Sequence, residues 1–123
     1  MQVFTSRGLA VILLAACSML VPSPAGAHAI IIAAAPVPGA VLQATTLPVR
    51  LRFNSRLDLA RSRLTLICPD ASTKTLPLDA SAGPDMLVAQ ATGLAPGQYR
   101  LRWQVLGVDG HITRGDIPFE VAR

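Results

Sequence analysis

The chain has 123 residues, 51% of them hydrophobic, 15% charged and 4% aromatic, and carries a net charge of +4. That length allows one domain with one small core. The basic balance is mild, contains no dense Lys/Arg run and comes with few aromatics, which argues against a nucleic-acid binder that tracks phosphates.

Taken from the start, residues 1–27 read as a signal peptide. Arg7 supplies a positive n-region, residues 9–21 are an apolar run, and Pro22, Ser23 and Pro24 break it. Ala25-Gly26-Ala27 then offers the small residues that signal peptidase needs. The run is shorter than the roughly 20 apolar residues a membrane-spanning helix requires, so no membrane span is expected after cleavage. A second reading of the same segment stays open. Leu14-Ala15-Ala16-Cys17 resembles a bacterial lipobox, in which Cys17 is lipidated and becomes the first residue. In either case Cys68 is the one cysteine of the domain that follows, so that domain has no internal disulfide. A lone cysteine in an oxidising compartment is either buried and inert or available for intermolecular pairing.

The remainder, residues 28–123, shows period-two alternation between turn signals, the mark of strands. Residues 28–35 are apolar and β-branched at Ile30, Ile31 and Ile32, and end at the Pro36-Val37-Pro38-Gly39 turn. In residues 48–53, Val49, Leu51 and Phe53 oppose Arg50 and Arg52. In residues 62–68, Leu64, Leu66 and Cys68 oppose Arg63, Thr65 and Ile67, which puts Cys68 in the core. Residues 74–79 are interrupted by Pro77 and should form an edge strand. Residues 86–92 are the next strand. Residues 97–105 carry the clearest pattern, with Tyr99, Leu101, Trp103 and Val105 inward and Arg100, Arg102 and Gln104 outward. Residues 107–110 form a loop and residues 113–121 the last strand. About seven short strands at roughly 8–12-residue spacing predict an all-β domain, a small Greek-key β-sandwich or barrel of immunoglobulin-like type. The arginines are accounted for as the solvated outer face of antiparallel sheets.

The chemistry-bearing residues are few. The chain has two histidines. One, His28, follows the cleavage site directly; the other, His111, stands in Asp109-Gly110-His111 in the loop before the last strand. If cleavage follows Ala27, His28 offers its α-amine and its ring Nδ1, which together close a chelate ring. Asp109 and His111, one residue apart, can project to the same side of an extended segment, and Gly110 permits the close turn. Three nitrogens and one carboxylate oxygen suit Cu(II) in a tetragonal arrangement, with zinc as the chemical rival. Asp-Gly is also a common turn with no metal role.

Several stretches together resemble the CopC family of periplasmic copper-resistance and copper-trafficking proteins. They are His28-Ala29; Ala35-Pro36-Val37-Pro38-Gly39-Ala40-Val41-Leu42; Val49-Arg50-Leu51-Arg52-Phe53-Asn54; the run from Gly97 through Tyr99 and Trp103 to Val105; and Asp109-Gly110-His111 followed by Gly115 and Phe119-Glu120-Val121. The resemblance implies a periplasmic protein that binds one Cu(II) per mature chain through His28, Asp109 and His111. It implies sequestration or delivery of copper rather than catalysis, and a CopD-like inner-membrane protein as partner. The chain departs from the pattern in three places. Asn54-Ser55-Arg56 stands where many relatives have an acid. Met86 is the one methionine after residue 27, which argues against a thioether Cu(I) site. Gly107-Val108 replaces a small polar pair before Asp109. Two other classes stay open on the sequence alone: a histidine-brace copper oxidase or monooxygenase, and a metal-free immunoglobulin-like interaction module.

Overall fold

The computed structural model describes residues 28–123, and the segment 1–27 with its signal-peptide and Cys17 lipobox readings lies outside the described residues. Eight strands form: β1 (Ile31–Ala35), β2 (Ala40–Leu42), β3 (Leu47–Phe53), β4 (Leu57–Ile67), β5 (Thr73–Leu76), β6 (Met86–Ala91), β7 (Gly97–Gly107) and β8 (Ile112–Val121). They make two sheets, ordered β1-β3-β6 and β2-β8-β7-β4-β5. Consecutive strands β3 and β4, and again β5, β6 and β7, switch between sheets, the crossover habit of a Greek-key β-sandwich.

The alternation read from the sequence is the alternation observed. In β3, Leu47, Val49, Leu51 and Phe53 are buried while Pro48, Arg50 and Arg52 are exposed. In β7, Tyr99, Leu101, Trp103 and Val105 face the core. Among the described residues the buried core side chains run from Ala29 to Val121. Phe53 meets Trp103 edge-on at 5.3 Å between ring centroids, and Tyr99 stacks on Phe119 at 5.2 Å. The indole of Trp103 lies over Gly115 of β8, where a Cβ would fall 2.4 Å from Cζ2. Cys68 is partly buried against this core.

Three features differ from the expectation. The first is an added strand, β2, which runs parallel to β8 with Ala40 opposite Phe119 and Leu42 opposite Val121. Three residues are too few to display a period, so its pairing is set by where the preceding turn delivers the chain. The second is the early start of β4 at Leu57, hidden in the sequence by an irregularity between Asp58 and Arg63 that breaks the pairing with β7. The hydroxyl of buried Ser62 closes that break, donating to Asp58 O at 2.7 Å and accepting from Leu106 N at 3.1 Å. The third is β1, which is shorter than residues 28–35 and carries its own register shift between Ile31 and Ala33. As expected, β5 lies at a sheet edge, but it stops just before Pro77 instead of running on to residue 79.

Candidate metal centre

Asp109 and His111 are set by the β7–β8 hairpin. Gly110 N–H donates to Gly107 O at 2.9 Å, and Gly107 N–H donates to His111 O at 2.9 Å. Gly110 has φ +88°, a left-handed conformation that costs a glycine nothing. This is a type I turn followed by a left-handed residue, the common three-residue hairpin connection. The geometry turns the Asp109 carboxylate back onto His111. Oδ1 accepts from the His111 backbone N–H at 3.1 Å, and Oδ2 lies 3.1 Å from His111 Nδ1. The backbone N–H of His111 is the main reason the Asp109 carboxyl is held below the usual carboxylate range, with the His111 ring adding to it. Asp109 is therefore an anion at any neutral pH. With Nδ1 turned toward the carboxylate, His111 keeps Nε2 for another partner.

Gly107 has a second task. A Cβ there would lie 2.7 Å from Asp109 Oδ1, so the missing side chain leaves room for the carboxylate. The sequence marked Gly107 only as a departure from the family pattern.

His28 arrives from the other sheet. Its ring centroid is 5.3 Å from that of His111, the planes inclined at 74°. Residues 28 and 111 are thus brought together across the end of the sandwich. Both side chains, and that of Asp109, are solvent-exposed. Among the described residues no three His, Cys, Asp or Glu side chains form a ready-made metal cluster. The contacts link His28 to His111 and His111 to Asp109, and in the uncleaved chain the nitrogen of His28 is still an amide bonded to Ala27. Cys68 lies in the segment after β4, at the end of that strand away from its Leu57–Gly107 pairing, and Met86 begins β6; neither joins the histidine pair. Ser55 sits in the β3–β4 turn and brings no charge to it.

Two further residues shape the site. Asn54 exchanges hydrogen bonds with the segment ahead of β1: Ile30 N–H donates to its Oδ1 at 2.8 Å, and its own N–H donates to Ile30 O at 3.0 Å. In the same turn Arg56 O accepts from Val108 N–H at 3.2 Å. A side-chain oxygen at residue 54, next to a strand end, was the available signal for the first of these.

Comparison with known proteins decides the family. The CopC domain model matches residues 31–122, a span that holds Asp109 and His111 and begins just after His28. The chain belongs to the CopC family. Among curated proteins, Protein YobA of Escherichia coli K12 is 30% identical over 120 residues, covering 95% of this chain and 97% of that protein. Copper resistance protein C of Xanthomonas campestris pv. juglandis is 28% identical over 126 residues, covering 96% and 98%. Among solved structures, CopC from Methylosinus trichosporium OB3b superposes with a TM-score of 0.68 at 28% identity, covering 77% of this chain and 94% of that one. The β-sandwich is thus the fold of a CopC protein in topology as well as in strand pattern.

Proposed function

We propose that this CopC-family chain is a periplasmic Cu(II)-binding protein that sequesters copper or delivers it, and that it does so without catalysis. The observation that carries the reading is the 5.3 Å approach of the His28 and His111 rings from opposite sheets. Nothing in a β-sandwich core requires two exposed imidazoles at one end of it. Copper is cargo here, and the donor set suits it. The amine and Nδ1 of His28 chelate from one residue, His111 adds Nε2, and Asp109 adds a carboxylate oxygen beside it. Removal of residues 1–27 supplies the amine, so export and site formation are one event. For Asp109 to join these donors, its carboxylate would have to leave His111 Nδ1, which faces away from Nε2 on the ring, while the backbone N–H of His111 still holds its other oxygen. An anionic Asp109 among the ligands would fill a position that oxygen chemistry needs open, which favours a carrier over a histidine-brace enzyme. The family resemblance points to a CopD-like inner-membrane protein as the recipient.

The test is a Cu(II) titration of the chain beginning at His28, beside the same chain with one alanine added in front. The extended chain should bind at least about 100-fold more weakly, since chelation by amine and ring is lost. Equal affinity for the two overturns the free-amine site.

A further inference from the structure

The two halves of the candidate site belong to different sheets, and one short turn touches both. The residues between β3 and β4 hold the His28 segment through Asn54 and the Asp109/His111 hairpin through Arg56 O and the Leu57–Gly107 pair. We infer that Asn54 is a positioning residue whose side-chain amide fixes the separation of the His28 and His111 rings; the consequence for copper rests on the function proposed above, while the positioning itself does not.

The segment ahead of β1 is otherwise weakly held. β1 is an edge strand that pairs with β3 alone, and its register slips between Ile31 and Ala33. Beyond Ile31, which lies opposite Phe53, no ladder continues toward His28. Ala29 is buried, but a methyl group offers little area to fix a direction. Each residue spans up to about 3.5 Å of extended chain, so a free segment of two or three residues would let the His28 ring wander by several ångströms. The Ile30 N–H to Asn54 Oδ1 bond removes that freedom, and the Asn54 N–H to Ile30 O bond makes it reciprocal. Of the contacts the turn makes to the two halves, those from Arg56 and Leu57, and the one from the Asn54 N–H to Ile30 O, are made by backbone. The Asn54 amide is the one that a substitution can remove.

The experiment uses the chain from His28 onward, which contains the hydrophobic core of the described residues. In the metal-free wild type, nuclear Overhauser contacts between the His28 and His111 ring protons are expected at the observed centroid distance. Asn54→Ala should keep a dispersed amide spectrum, lose those ring contacts, and weaken Cu(II) binding about tenfold, the order of one lost hydrogen bond in ordering the ligand. Asn54→Gln, whose oxygen is displaced by one methylene, should behave alike. Asn54→Asp, which keeps the acceptor, should retain the ring contacts. Ring contacts that survive in Asn54→Ala, or that are absent from the wild type, overturn the inference. So does a loss of dispersion in both Asn54→Ala and Asn54→Gln, which would make Asn54 a residue of the fold rather than of the ring pair. If the contacts follow the expected pattern but the wild type takes up no copper, the positioning role stands and the copper reading falls.

Discussion

Replacing Gly115 with alanine should destabilise this domain through one contact. The added Cβ would sit 2.4 Å from Cζ2, 2.6 Å from Cε2 and 2.8 Å from Nε1 of Trp103. Ordinary carbon contacts lie at about 3.5–4.0 Å, so the indole must retreat by about 1 Å. Its retreat is opposed on the far side by Phe53, edge-on at 5.3 Å and itself fully buried. Overpacking of this kind costs about 1–3 kcal/mol. Taking about 2 kcal/mol, and about 4–8 °C per kcal/mol for a domain of this size, the Tm should fall by about 8–16 °C. Thermal and urea unfolding followed by the fluorescence of Trp103, the chain's one tryptophan, reads this directly. A double-mutant cycle with Trp103→Leu, followed by circular dichroism, isolates the clash. Once the ring is gone the alanine should cost almost nothing, giving a coupling about as large as the single-mutant loss. An unchanged Tm for Gly115→Ala, or an equal loss with and without the ring, refutes the reasoning.

Other outcomes follow from the same structure. His111→Ala should abolish tight Cu(II) binding, measured by competition titration, while leaving the Tm of the metal-free protein close to wild type, because the ring is exposed and its backbone keeps the hairpin bonds. Copper should also be released on acidification, since the amine and both imidazoles must lose protons to bind. The Asp116 carboxyl is held below its usual range chiefly by the Arg102 hydrogen bond, with Arg100 adding to it. A depressed native pKa contributes stability that is present above the unfolded-state value and lost as pH falls through the native one. The Tm advantage of wild type over Asp116→Asn should therefore be flat from pH 5 to 7 and shrink below about pH 4, as melts across that range would show. Tyr99→Phe removes the hydroxyl that donates to Ala95 O at 2.7 Å. It should cost about 1 kcal/mol in urea unfolding without touching copper affinity.

Much of the strand plan was legible because the outer and inner faces of a sandwich impose period two on each strand. Residues 97–105 and 48–53 read correctly for that reason, and Pro77 marked its edge strand by removing a backbone donor. What escaped was irregular. β2 is too short to carry a pattern, and the break in β4 at Asp58 and Arg63 masks the strand's true start, because its closure by Ser62 depends on a partner on another strand. The candidate site divides the same way. His28, Asp109 and His111 were legible as metal-binding residue types. The roles of Asn54 and Gly107 were not, since one acts through a bond to a residue distant in sequence and the other by lacking a side chain where Asp109 Oδ1 needs space.

The sequence by itself determined the residue chemistry: a domain with one cysteine, strands that bury alternate residues, and two histidines, one of them directly after the small residues Ala25-Gly26-Ala27. Those follow from composition and local periodicity, which act along the chain. Only the tertiary structure decided that the two imidazoles stand 5.3 Å apart and that Asp109 is turned onto His111. Spacing cannot supply this, because residue 28 precedes a strand of one sheet and residue 111 a strand of the other. Their separation is set by how those sheets meet at the β3–β4 turn and by the hydrogen bonds that cross there.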